Sequence, residues 1–124
     1  MNMLDVCQFI MSNYHNTEIN ASYLADRYGI PLSTLSRRFK KVIGMTLSEY
    51  ISKWQLDYAK EMLRDTRLTV ASISEVMGHT QTSSFIRRFK AYEHMTPNEY
   101  RKKHGKYMVD DEEGLQEKVP TPEE

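Results

Sequence analysis

With 124 residues, 40% hydrophobic content and one cysteine, the chain can build a small core but no internal disulfide. At roughly 100–200 residues per domain it forms one domain or two very small lobes. Its longest apolar stretches run a few residues, against the roughly 20 of a bilayer span, and Met1 to Asn13 carries Asp5 without a basic start, so a soluble, cytoplasmic protein with no signal peptide and no membrane partner is expected. The net charge of zero conceals a division into a basic body, 16 Lys and Arg against 10 Asp and Glu in residues 1–107, and an acidic tail, 1 against 7 in residues 108–124.

No stretch alternates with period two, and apolar residues recur at three and four, so the fold class is expected to be all-α. Val6, Phe9, Ile10 and Tyr14 stripe a first helix that Asn2 can cap. Asn20 can cap a second, Ala21 to Tyr28, with Leu24 and Ala25 inward. Gly29 ends it, where a left-handed residue costs little for Gly. Leu35, Phe39 and Val42 stripe a third, which Gly44 stops. Thr46-Leu47-Ser48-Glu49 is a capping box: the Thr hydroxyl accepts from the Glu amide while the Glu carboxylate reaches back. It opens the longest helix, about Leu47 to Arg64, with Tyr50, Ile51, Trp54, Tyr58, Met62 and Leu63 as apolar candidates. Thr69 can cap a fifth, Val70 to Met77, ended by Gly78. A sixth runs from about Thr82 to Glu93, with Phe85, Phe89 and Tyr92 on one side. Thr96-Pro97-Asn98-Glu99 is a second capping box, with Pro at the first helical position, opening a last helix to about His104. The acidic tail holds too little apolar content to fold alone and is expected to be disordered.

The chain repeats itself. LSRRFKKVIGMTLSEYISKW, from Leu35, lies over FIRRFKAYEHMTPNEYRKKH, from Phe85, at an offset of 50 with 9 of 20 positions identical, among them Arg37/Arg87, Phe39/Phe89, Lys40/Lys90, Thr46/Thr96 and Tyr50/Tyr100. Upstream the register slips by one, and Leu24-Ala25…Gly29 matches Ile73-Ser74…Gly78. A short helix, a Gly turn and a second helix therefore occur twice, which is the helix-turn-helix arrangement. An ordinary αα-corner is the bland alternative. The outer face of each second helix favours the former. At about 100° per residue from Leu35, Phe39 and Val42 form the core face, while Ser33, Arg37 and Lys40 fall opposite with Ser36 beside them. Ser83, Arg87 and Lys90 repeat that face, and no acid follows until Glu93. Arg can grip guanine bidentately, Ser and Thr reach base edges or phosphates, and Lys supplies phosphate charge, so both faces suit a major groove. Arg38 and Arg88 flank the core stripe and suit either an acid or a phosphate.

LADRYGIPLSTLSRRFKKVIGMTLSEYI, the following LDYAKEML, and SSFIRRFKAYEHMTPNEYR make the sequence resemble the DNA-binding domain of AraC/XylS-type transcription regulators over about residues 4–104. The resemblance implies about seven helices within residues 1–107: helix-turn-helix subdomains at about 20–43 and 69–93, a linker helix at about 47–64, and a final helix at about 97–104. It implies a sequence-specific double-stranded DNA-binding transcription regulator, with two recognition helices reading adjacent major-groove segments of an asymmetric operator or promoter site. Ser33, Thr34, Ser36, Arg37, Lys40 and Lys41 in the first unit, and Thr82, Ser83, Ile86, Arg87 and Lys90 in the second, are the DNA-binding candidates. RNA polymerase is a candidate partner, and a sensor or dimerisation domain is expected outside this chain. Four positions depart from the family: Pro31 for a capping Ser, Gln55 for Arg, His79 for Phe, and His94 for a helix-ending Gly. Pro31 is expected to move the helix start to Leu32 or Ser33, and His94 to be strained. The departures around the second unit favour the first recognition helix as the better base reader.

Cys7, near the apolar stripe, reads as a buried structural thiol. His15, His79, His94 and His104 share no ligand spacing, and no Gly-rich phosphate loop or nucleophile–base pair is present, so no metal, cofactor or catalysis is expected. Trp54, Tyr50 and Tyr58 read as packing rather than a stacking platform. Two rival functions remain: a helical protein-interaction adaptor that keeps the fold without specific DNA reading, and RNA binding. The first would need an apolar outer face and the second exposed aromatics between basic residues. The acidic tail reads either as a solvated terminus or as a competitor for the basic face.

Overall fold

The computed structural model describes residues 2–109, and the expectation for the acidic tail falls on residues outside them from Asp110 onward. The described residues form seven α-helices and no strand: α1 (Met3–Ser12), α2 (Ala21–Tyr28), α3 (Leu32–Ile43), α4 (Leu47–Asp65), α5 (Val70–Val76), α6 (Thr82–Glu93) and α7 (Pro97–His104). The all-α expectation with a long fourth helix holds. The chain divides into two compact units between Asp57 and Tyr58, inside α4.

In the first unit α1 buries Met3, Val6, Cys7 and Ile10, a spacing that lines one helical face. Leu24 and Ala25 of α2, Leu35 and Phe39 of α3, and Leu47 and Ile51 of α4 join them in one cluster. The helix starts follow local chemistry. The Leu4 amide donates to Asn2 Oδ1 at 2.9 Å and the Tyr23 amide to Asn20 Oδ1 at 2.8 Å. Gly29, at φ 66°, lets the Ile30 amide turn back to the Ala25 carbonyl at 3.1 Å.

The second unit repeats the plan. Gly78 adopts φ 86°, and the His79 amide donates to the Ser74 carbonyl at 3.0 Å. Phe39 meets Tyr50 edge-on at 5.5 Å between ring centroids, and Phe89 meets Tyr100 likewise at 5.8 Å. Both capping boxes form: Glu49 and Glu99 amides donate to the Thr46 and Thr96 hydroxyls at 3.1 Å. The returning amides of Thr46 and Thr96 are the first cause holding the Glu49 and Glu99 carboxyls below the usual range.

Several expectations need correction. Tyr14 lies in the turn after α1, its ring 5.4 Å from that of Trp54. Val42 is 60% exposed and Tyr92 44% exposed, so neither belongs to a core face. The buried stripe of α3 steps by four from Leu35 to Phe39 and on to Ile43, which packs against the core. The same step in α6 reaches Glu93, whose carboxylate accepts from Lys60 Nζ of α4 at 3.2 Å. The fifth helix stops at Val76, and the fourth extends to Asp65. The expected start of α3 holds: the helix begins at Leu32, with Pro31 in the N-cap position.

Two positions carry avoidable cost. Ser74 is 1% exposed and its hydroxyl has no hydrogen-bond partner, where the first unit has Ala25. Ser74→Ala is expected to raise unfolding free energy by about 1 kcal/mol, because an unpaired buried hydroxyl is removed. A urea midpoint that falls would show the hydroxyl to be satisfied. His94 ends α6 at φ 64°, where Gly44 ends α3 at φ 94°. His94→Gly is expected to add about 0.5–1 kcal/mol, the relief of left-handed strain less the entropy of a new glycine. Thermal unfolding checks it: an unchanged or lower Tm would mean that the imidazole contributes more than the strain costs.

The deepest polar feature is Arg101 of α7, 4% exposed. Its guanidinium donates from Nε to the Leu63 carbonyl at 3.0 Å and from Nη2 to the Thr66 carbonyl at 3.3 Å. The Lys106 amide donates to the Arg64 carbonyl at 2.8 Å. These acceptors lie in the last turn of α4 and just after it, where carbonyls lack partners within the helix. Gly105 makes the approach possible: a Cβ there would stand 2.6 Å from the Arg101 carbonyl oxygen.

Candidate nucleic-acid interface

The rotation of α3 and α6 about their axes is fixed by what they bury. Leu35 and Phe39 pin α3, and Phe85 and Phe89 pin α6, all at or near zero exposure. Both helices have 12 residues. In the first unit Ser33, Arg37, Lys40 and Lys41 are exposed, with Thr34 and Ser36 half-buried. In the second, Ser83, Arg87 and Lys90 are exposed, with Thr82 and Ile86 half-buried. Each unit thus gathers its own candidates on one helix surface. The half-buried hydroxyls lie on its shoulders.

Several cations outside these faces already have partners. Lys60 pairs with Glu93, Arg64 with Asp65 at 3.0 Å, and Lys106 with Asp65 at 3.2 Å. Arg27 lies over the Phe9 ring at 4.1 Å and Arg67 over the Tyr107 ring at 4.2 Å. Arg37, Arg38, Lys41 and Arg87 have no carboxylate within 4.0 Å among the described residues, a state they share with Lys53, Lys102 and Lys103. Lys40 and Lys90 are close enough to Glu49 and Glu99 to contribute to lowering those carboxyls, behind the capping hydrogen bonds.

The helix starts differ as well. Side chains of Asn2, Asn20, Thr46, Thr69 and Thr96 accept from the first turns of α1, α2, α4, α5 and α7. Pro31 and Gln81 make no such bond for α3 and α6. α3 and α6 therefore leave their first-turn amides without a capping side chain, an arrangement that suits an incoming phosphate.

The departures noted in the sequence resolve individually. Gln55 turns inward, its Nε2 donating to the Ile19 carbonyl at 3.0 Å, and serves the first unit's own structure. His79 keeps the aromatic place, its ring 5.7 Å from Phe85. Burial first, and the Arg88 charge second, hold its imidazole below the ordinary range. Arg38 faces solvent and lines a shallow depression with Asn2, Met3, Lys41 and Val42. Gln81, exposed at the start of α6, joins the candidate surface without any sequence signal, since Gln is not a usual cap.

Among the described residues no group of three or more His, Cys, Asp or Glu could hold a metal ion. No helix there is long and apolar enough to cross a membrane. Two helix-turn-helix pairs, each presenting a cationic second helix, define the class as a double helix-turn-helix domain.

Comparison with known proteins gives the family. A family model described as a helix-turn-helix domain matches residues 24–103. Over 79 residues the chain is 37% identical to a protein of Streptomyces lividans described as an AraC-like transcription regulator, covering 64% of this chain and 26% of that protein. Over 100 residues it is 33% identical to the uncharacterized HTH-type transcriptional regulator YtdP of Bacillus subtilis, covering 81% of this chain and 13% of that protein. The chain therefore spans about a quarter or less of the length of these relatives. Among solved structures, the C-terminal domain of the two-component response regulator yesN from Fusobacterium nucleatum superposes with a TM-score of 0.70 at 29% identity, covering 82% of this chain and 99% of that one. The C-terminal domain of AraT, a response regulator from Geobacillus stearothermophilus, shares the fold with a TM-score of 0.73 at 23% identity, covering 86% and 89%. The chain belongs to the AraC-type helix-turn-helix family of transcription regulators.

Proposed function

We propose that this chain is the sequence-specific DNA-reading part of a transcription regulator, with α3 and α6 each entering a major-groove segment of an asymmetric operator or promoter site. The observation that carries the reading is the repeated outer face. Two helices of equal length are each pinned by two buried apolar side chains and offer hydroxyls, Arg and Lys outward. Among the described residues Arg37 and Arg87 have no carboxylate within 4.0 Å. In this reading Arg37 and Arg87 grip guanine, Ser33, Thr34, Ser36, Thr82 and Ser83 reach base edges or phosphates, and Ile86 meets a thymine methyl. Lys40, Lys41 and Lys90 hold phosphates, as do the uncapped first turns. Residues 1–107 make up the DNA-binding domain. The relatives are several times longer than the matched stretch, which supports placing a sensor or dimerisation domain, and contacts to RNA polymerase, in a longer cytoplasmic regulator. An adaptor would need apolar surface where these faces carry hydroxyls and cations.

Salt dependence tests the assignment of the lysines. Affinity for random duplex DNA should fall steeply with salt, and Lys40→Ala and Lys90→Ala should each lower the log–log slope by about 1, uniformly across sequences. Duplex binding that is absent at low salt would end the reading. Slopes that stay unchanged in both variants would remove these lysines from the phosphates.

A further inference from the structure

We infer that the acidic segment following Val109 docks in the same molecule on the outer face of α6 and competes there with duplex DNA; this rests on the DNA-binding reading above. The first observation is charge complementarity. Residues 110–124 hold Asp110, Asp111, Glu112 and Glu113 in one run, then Glu117, Glu123 and Glu124, against the single cation Lys118. The face of α6 holds Arg87, without a carboxylate within 4.0 Å among the described residues, and Lys90. Ser83 lies on the same exposed surface, and no acid interrupts it before Glu93.

The second observation is reach. Fifteen residues extended span at most about 50 Å. The described part of the second unit is roughly 50 residues, for which a compact fold has a radius of gyration of about 10 Å. The α6 face therefore lies within the span of the segment wherever on the unit the chain leaves Val109. Of the unit's other cations, Lys106 pairs with Asp65, Arg67 lies over Tyr107 and Lys60 pairs with Glu93, whereas Lys102 and Lys103 of α7 are exposed without such a partner among the described residues and are the rival seat for the segment.

The consequence is competition that depends on salt. A ligand tethered on the same chain acts at roughly millimolar effective concentration. With a face–segment affinity of about 0.1 mM, the weak end of non-specific polyanion binding, the apparent DNA affinity falls about tenfold. Added salt screens the segment and the DNA alike, so the handicap shrinks as salt rises.

The experiment uses the full chain in two forms, unaltered and with all seven acids after Val109 changed to amides (D110N, D111N, E112Q, E113Q, E117Q, E123Q, E124Q). Backbone amide shifts are compared without DNA, and affinity for a random duplex is then compared at about 50 and 200 mM salt. The expected result has two parts. Amide shifts of Ser83, Arg87 and Lys90 differ between the two forms. The amide form also binds duplex about tenfold more tightly at the lower salt, with the gap closing at the higher. Shift differences confined to residues 97–124, which include Lys102 and Lys103 of α7, overturn the docking on α6, even if affinity rises, because a rise alone then reports long-range repulsion or a different seat. Failure of both forms to bind duplex sinks the DNA-binding reading, while the amide shifts still decide whether the segment docks.

Discussion

Arg101→Ala is expected to destabilise the second unit by about 3 kcal/mol, since hydrogen bonds from a buried charged donor are lost and the carbonyls they served stay buried. That is a large part of the roughly 5–15 kcal/mol typical of a domain. The guanidinium reaches the Leu63 and Thr66 carbonyls from 35 or more positions away, tying the end of α4 to α7. Arg101→Lys keeps the charge but not the planar fork, and should recover less than half of the loss. The units should also come apart in their reporters. Trp54, the one tryptophan, belongs to the first unit. In Arg101→Ala, far-UV circular dichroism should therefore begin to fall before Trp54 fluorescence changes during a urea titration. Coincident transitions at the original midpoint would mean that Arg101 contributes little.

Arg37→Ala should leave stability alone, because the side chain is exposed and has no carboxylate within 4.0 Å among the described residues, yet weaken binding to the chain's own site by about 1–3 kcal/mol with relaxed preference at one base pair. Arg87→Ala should do the same at a different position, in the other half of the site. Random duplex should bind both variants almost as before, since one phosphate-independent contact is removed. Site selection repeated with each variant reads this directly. A uniform loss across sequences would reassign the arginine to the phosphate backbone, and an unchanged affinity would take its helix out of the groove.

The fold was legible wherever its cause is local. Asn20 with Gly29 and Thr96-Pro97 with Glu99 set helix ends through bonds made within a few residues, so α2 and α7 have the bounds expected of them. The faces of α3 and α6 were legible because the repeat shows the same pattern twice. Partner choice was not. Val42 and Ile43 both lie near the core side of α3 on a helical wheel, and only the neighbouring elements decide that Ile43 packs while Val42 meets solvent. Tyr92 and Glu93 repeat the problem, resolved by Lys60 on another helix. Arg101 gave no signal, since a cation in a polar segment reads as solvated until the end of α4 is placed against it. That Arg37 and Arg87 have no carboxylate within 4.0 Å among the described residues was equally hidden, because it depends on where the acids of other elements fall in space. At Gln55 the sequence marked a missing charge, and the structure supplies a hydrogen bond to Ile19 in its place.

The most direct measurement is selection of binding sites from random duplex DNA by the full chain at moderate salt. If α3 and α6 both read bases as proposed, selection should enrich an asymmetric site with two boxes about one turn, roughly 34 Å, apart. Recovery of sequences no different from the starting pool, with weak binding that collapses as salt rises, would contradict base reading by α3 and α6.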